Sequence, residues 1–317
     1  MATDAPAAPS SSLPPSPPAP LAPPLPPAPA RPGTLARLLG RPSGRAGLLL
    51  LAPLVAFALV GPLVAGHDPN ASDFALGAGL EGLPAGPGAR HWLGTDSLYR
   101  DEFARLAHGA RLSLLVATLA TALSAGLGTL VGVGAGWAAG GRAAWVDAVL
   151  MRLVDALLAL PYLLVVLALG AALDRSDAGT LLAVLGLTGW LGAARVLRAK
   201  TLEVCARPHV EAARALGLSP AEVLARHVLP HVVGPLVVLA STSMASMLLA
   251  ESMLSYLRVG VPPPAPSLGR MLVEGQPLLG LSPRLVLAPA VPIVAGVFGF
   301  HLLGEGLRDA LAPEEAP

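Results

Sequence analysis

From Leu112 to Gly141 this sequence runs thirty residues without an Asp, Glu, Lys or Arg. About 20 consecutive apolar residues are enough to cross the hydrocarbon core of a bilayer. In that core every backbone N–H and C=O must be satisfied within the chain, which favours helices. Comparable stretches recur, and the composition agrees with them. The 317 residues are 54% hydrophobic and 13% charged, against roughly 25% charged in a soluble domain. The expected fold class is therefore all-α integral membrane, with six transmembrane helices at about 46–66, 112–137, 150–173, 178–194, 228–257 and 285–304.

Residues 1–33 are nearly all Pro, Ala, Ser and Leu, with thirteen prolines up to Pro32. Such a segment suits neither a helix interior nor a core, so a disordered, partly polyproline tail is expected over 1–40. It lacks the basic start and apolar centre of a signal peptide. The membrane domain is assigned to 41–313 and a short C-terminal tail to 314–317. Arg31, Arg37, Arg41 and Arg45 precede the first span and favour a cytoplasmic N-terminus. Six spans then place 13 basic residues inside and 8 outside, with both termini cytoplasmic. The single cysteine, Cys205, permits no disulfide within the chain.

Residues 67–111 carry six acids and four arginines, and Asp101 to Leu114 suits an amphipathic helix leading into the second span. In that span Gly128, Gly132 and Gly136 share one helical face, a pattern that lets two membrane helices approach closely. Asp155, placed in the first turns of the third span, and Glu251 in the fifth are ionisable residues inside apolar segments. They are therefore pathway candidates, together with Pro161, expected to kink the third span.

Between the fourth span, which ends on Arg195, Arg198 and Lys200, and the fifth lies a segment of different character, His209 to Pro230. Glu211 to Leu216 are mostly strong helix formers, and Gly217 suits a left-handed C-cap. Ser219, Pro220 and Glu222 restart a helix, as N-cap, first-turn proline and the acid of a capping box. Pro230 follows this second helix and opens the next apolar run. Two short helices joined at a glycine make a compact knob suited to docking.

The missing chemistry narrows the function. The only lysine, Lys200, has no glycine frame, so no P-loop exists and no ATPase activity is expected of this chain. There is no H-E-x-x-H. His227 and His231 are separated by Pro230 and lack an evident third ligand, so no metal and no cofactor are expected. No nucleophile elbow is present, and catalytic residues are not expected. A membrane enzyme built on Asp155, Glu251 and the histidines would lack any recognisable site spacing. A secondary transporter would want related halves with paired broken helices, which are not seen. The net charge of +1 is neutral towards nucleic acid, and no such partner is expected. A conducting or scaffolding role remains.

The knob also carries a resemblance. Glu211-Ala212-Ala213, Gly217 after three residues, and Leu229-Pro230 after eleven more resemble the EAA loop of binding-protein-dependent ABC importer permeases. His227 stands where the general pattern has isoleucine, as in the dipeptide/oligopeptide (and nickel) C-type branch. His91-Trp92-Leu93-Gly94-Thr95-Asp96, Arg100-Asp101, Gly109-Ala110-Arg111 and Gly304-Glu305-Gly306-Leu307-Arg308-Asp309 are similar to phrases of that branch. The likeness covers about residues 40 to 313. Trp92 replaces a proline, Tyr99 and Arg258 replace glycines, Leu268 a tryptophan and Ala312 an aspartate.

The resemblance implies a type I ABC importer permease fold in the bacterial cell membrane. The chain would form half of the pathway for peptides or similar small solutes; nickel, glutathione and opine-type solutes are carried by the same branch. Implied partners are ABC ATPase subunits, a second homologous permease and an extracytoplasmic solute-binding protein. The implied ATPase-coupling residues are Glu211, Ala212, Ala213, Gly217, Ser219, Leu229 and Pro230.

Overall fold

A computed structural model describes residues 33–79, 82–141, 143–172 and 177–311. The proline-rich stretch up to Pro32, Arg31, Arg142, Ala312 and the expected C-terminal tail lie outside the described residues. Helices dominate, and no strand forms among the described residues beyond isolated bridges such as Ser72 with Arg100 and Thr95 with Asp101.

Helix α1 (Thr34–Gly40) occupies the end of the expected tail and buries Leu38. It leads into α2 (Pro42–Val64), whose first-turn Pro42 costs no helical hydrogen bond. After the segment to Asp101 comes α3 (Glu102–Ala139), 38 residues long. The expected amphipathic helix and second span are thus one element. Nothing between Leu112 and Leu114 could end a helix, since the junction holds neither glycine nor proline.

The third span is the main departure from expectation. In place of one kinked helix there are α4 (Ala144–Leu158) and α5 (Tyr162–Ala172), bent by 92° at their junction. Pro161 has no N–H to donate and clashes with the carbonyl four residues back, while Leu160 is pushed out of helical conformation. Because α4 begins at Ala144, Asp155 lies in its last turn and not in the first turns expected.

Helix α6 (Ala178–Cys205) continues eleven residues past the expected end at 194, since a charged helix projects beyond an apolar span at no backbone cost. Then follow α7 (Pro208–Ala215), α8 (Pro220–Val223), a π-turn (Leu224–Val228) and α9 (Leu229–Tyr256). Helix α10 (Leu268–Gly275) precedes α11 (Arg284–Leu311). Five helices among the described residues are long and apolar enough to cross a membrane, and the bent α4–α5 pair reaches that length and apolarity only when its two halves are counted as one span, giving five or six.

The bundle core joins α3, α6 and α9 through Val116, Ala120, Leu185, Leu248 and Leu254, with Leu51 of α2 packed against them. Small residues draw α3 and α6 together. A Cβ on Gly128 would meet that of Ala193 at 2.8 Å, one on Gly136 the Arg198 carbonyl at 2.8 Å, and one on Gly132 the Ala194 carbonyl. All three glycines therefore face α6.

At one end of the bundle the segment 67–101, α10 and the start of α11 form a polar layer. Arg100 and Arg105 each donate to Glu274 at 2.8 Å, and Arg100 also donates to Asp96 at 2.7 Å. Arg284 donates to the carbonyls of Leu93 (2.6 Å) and Ala85 (2.7 Å). Burial pushes the Glu274 carboxyl up, but the guanidiniums of Arg105, Arg270 and Arg100 outweigh it and hold the group below the ordinary carboxylate range. The helix-turn-helix knob stands at the opposite end.

Candidate functional site

The knob is held by a core of its own. Val210, Ala213, Val223, Val228 and Val232 are buried together with Leu197 and Val204 of α6 and Val133 of α3. Side chains from both bundle helices thus seat the knob, and the Arg214 guanidinium lies 5.2 Å from the centroid of the Trp137 ring of α3.

The turn has the chemistry read from its sequence. Helix α7 ends at Ala215 with Leu216 as its C-cap, and Gly217 adopts φ +82°. Its N–H donates to the Arg214 carbonyl at 3.0 Å, while the Leu218 N–H reaches back to the Ala213 carbonyl at 3.3 Å. This pair is a Schellman motif, completed by packing of Leu218 into the same core as Ala213. Ser219 and Glu222 then form a full capping box. The Ser219 oxygen accepts from the Glu222 N–H at 3.3 Å, and the Glu222 carboxylate accepts from the Ser219 N–H at 3.1 Å. Both helix ends facing the turn are closed, so the angle between α7 and α8 is fixed by hydrogen bonds and packing together.

The second helix does not stop before Pro230, as expected, but runs through the π-turn into α9, with Leu229 donating to the Leu224 carbonyl. The extra residue falls just before Pro230, whose missing N–H leaves the Arg226 carbonyl without its helical donor. The ring of His231 donates to the His227 carbonyl at 3.0 Å and stacks on His209, centroids 5.2 Å apart. Pro230 is thus a first-turn residue of α9.

Two faces result. Ala213 is 4% exposed and turns inward, whereas Glu211, Ala212, Gly217 and Ser219 are exposed. At the apex Leu216 is 81% exposed, more than any other large apolar residue described. Sequence reading passed over Leu216 because an isolated leucine beside a C-cap looks like packing. Its exposure comes from its place as the C-cap of α7, at the turn beyond the last helical residue.

The pathway candidates do not converge. Asp155 is exposed at the helix surface and pairs with Arg195 of α6. Glu251 is fully buried and accepts from Ser255 at 2.9 Å and from Ser252 at 3.3 Å. Beside the Pro161 break lies a cavity of about 540 Å³, lined by Leu157, Tyr162, Thr188, Ser243 and Met247 among others. Asp155, Pro161 and Glu251 are not among its lining residues. A second pairing between α4 and α6 was not read from sequence: Arg198 donates to both oxygens of Asp147, at 2.5 and 2.6 Å.

Comparison with known proteins agrees with this architecture. Residues 132–315 match the family described as "Binding-protein-dependent transport system inner membrane component". The oligopeptide transport system permease protein OppC of Escherichia coli (strain K12) is 36% identical over 279 residues, covering 88% of this chain and 89% of that protein. The OppC protein of Salmonella typhimurium is 38% identical with the same coverage. The dipeptide transport system permease protein DppC of Bacillus subtilis (strain 168) is 35% identical over 280 residues, covering 88% of this chain and 84% of that one. A match over more than half of the chain, together with relatives of this identity along almost their whole length, places the chain in the family of inner membrane components of binding-protein-dependent transport systems.

Proposed function

We propose that this chain is the permease subunit of an ATP-driven importer of peptides, and that the knob is where a cytoplasmic ATPase docks. The observation that carries the reading is the combination of a doubly capped, internally packed helix-turn-helix with an exposed leucine and acid at its apex. A contact that transmits force needs an element that moves as a body, and an apolar anchor ringed by charge suits a partner groove. Glu211, Ala212, Gly217 and Ser219 form the docking face, while Ala213, Leu229 and Pro230 hold its shape.

The relatives carry oligopeptides and dipeptides by name, and a peptide cargo is inferred from them. Residues 41–313 form the permease domain, with both termini on the ATPase side and a solute-binding protein at the end that carries residues 67–101. A second permease subunit completes the pathway, and the cavity beside Pro161 belongs to it. The glycine face of α3 serves packing within this subunit. Among the ionisable candidates, Asp155 ties α4 to α6 and Glu251 braces the end of α9.

The test is disulfide or bifunctional cross-linking from Leu216→Cys in a Cys205→Ser background, performed in membranes that contain the whole transporter. The expected product joins this chain to an ATPase subunit, and Glu211→Lys reduces both the product and peptide uptake. A cross-link to no ATPase, or sustained ATP hydrolysis by this chain alone, overturns the reading.

A further inference from the structure

In the polar layer at the end away from the knob, three potential ligands converge from separated parts of the chain. One donor atom each from His67, just beyond α2, His91 and Asp101, the N-cap of α3, all lie within 4.8 Å of one another. His91 Nδ1 stands 2.7 Å from Asp101 Oδ2, and His67 Nδ1 stands 3.7 Å from the same oxygen. The two imidazole centroids are 5.1 Å apart.

His91 is 5% exposed, and its Nε2 has no hydrogen-bond partner. Asp73 Oδ2 lies 3.5 Å from that nitrogen without the alignment of a hydrogen bond, and Arg90 pairs with Asp73 at 3.1 Å. The ring therefore sits between two carboxylates, one on each nitrogen. Metal-bound histidines characteristically offer one nitrogen to the ion and the other N–H to a carboxylate.

We propose that His67, His91 and Asp101 bind one divalent first-row transition ion of the zinc class, with Asp73 orienting His91 from outside. Two imidazoles and a carboxylate suit such an ion, whose bonds to nitrogen and oxygen are about 2.0–2.2 Å long. Tetrahedral donors then stand about 3.3–3.6 Å apart, a spacing that the three groups reach with small side-chain rotations. His67 supplies the freedom: its side chain is 37% exposed, and a turn of the ring towards the ion costs one partly exposed hydrogen bond, from Nδ1 to the Ala65 carbonyl at 3.2 Å. The same exposure gives the ion an entry path. Bound there, the ion would join the end of α2 to the start of α3.

The experiment uses the full-length chain, purified in detergent without a histidine tag, and titrates it with Zn2+ by calorimetry. Metal content after dialysis and the d–d absorption of Co2+ are measured in parallel. The expected result is one zinc per chain, with a Co2+ spectrum of low coordination number. His67→Ala should weaken binding at least tenfold while leaving the zinc-free melting temperature unchanged. Asp73→Asn should weaken it about tenfold, because the carboxylate beside His91 Nε2 no longer orients the ring. His231→Ala removes a member of the knob's histidine group and should leave binding unchanged. Absence of binding, unchanged affinity in His67→Ala, or loss in His231→Ala would each overturn the proposal.

Discussion

Gly217 offers the sharpest test of the docking knob, because its environment isolates one physical term. A Cβ built on Gly217 meets nothing within 4 Å, so a substitution there creates no clash. The whole cost is conformational, set by φ +82°. An alanine in this left-handed region costs about 1 kcal/mol, and a β-branched valine about 2 kcal/mol or more. Asparagine tolerates the conformation and should cost least. Penalties of 1 and 2 kcal/mol reduce the properly turned population roughly five-fold and thirty-fold. Cross-linking yield from Leu216→Cys and peptide uptake should therefore fall in the order Gly, Asn, Ala, Val. Amounts in the membrane should stay near the parent's, because Gly217 is itself exposed and nothing packs where its side chain would stand. A valine variant that cross-links and transports like the parent would refute the role of the turn. So would equal loss in Asn and Val, which would point to the absent hydrogen side chain and not to backbone angle.

Other expectations follow from particular residues. With Cys205 replaced by serine, a membrane-impermeant thiol reagent should label Ala78→Cys in intact cells and spare Ser219→Cys; labelling of Ser219→Cys would reverse the orientation. Arg258 is exposed and holds φ +63°, so Arg258→Gly should stabilise the protein by roughly 1 kcal/mol, read as a rise in Tm of roughly 2 °C. The lowered folded-state value of Glu274 means that its contribution is present above the ordinary carboxylate range and is lost as pH falls through the folded value. Glu274→Gln should cost up to about 3 kcal/mol at neutral pH, near the low end because the side chain is 18% exposed, and should flatten the acid limb of the stability curve. Gly132→Val should drive a side chain into the Ala194 backbone and destabilise the α3–α6 pair by about 1–3 kcal/mol, seen as earlier melting and loss of uptake.

What was legible in the sequence is what is settled locally. The capping box closes over three residues and the Schellman bonds over five, so Ser219, Glu222 and Gly217 disclose the knob without knowledge of anything distant. The apolar runs likewise announce spans, though not their ends, because charged helix continues past the membrane boundary in α6. At Pro161 the residue was visible but not its result, since a proline kinks or breaks a helix according to what packs on either side. The polar layer was hidden for another reason. Arg105 and Glu274 are 169 positions apart, and no local period links them. The same holds for His67, His91 and Asp101, which come together only when the loop folds onto the start of α3. Tyr99 and Arg258 illustrate an intermediate case. Both replace glycines in the related phrase, and both hold positive φ, at 60° and 63°. Each side chain thus stands at a backbone angle that glycine enters most readily. Tyr99 recovers part of the cost through its hydroxyl, which donates to the Gly82 carbonyl at 2.7 Å.

The continuity of α8, the π-turn and α9 gives the knob mechanical gain. Pro220 to Tyr256 is a single helical run of 37 residues, about 55 Å from end to end at 1.5 Å per residue. Its near end belongs to the proposed docking face, and its far end approaches the polar layer through Glu251 and Ser255. A rocking motion of about 5° at the near end would sweep the far end through about 5 Å, comparable to one helical turn. By contrast α7 is separated from α6 by a break at Ala206 and Arg207, yet its Val210 and Ala213 share a buried core with Leu197 and Val204, so it stays tied to α6 by packing. On the proposed docking, one arm of the knob would act as a lever reaching across the membrane, and the other as the plate that ties it to α6.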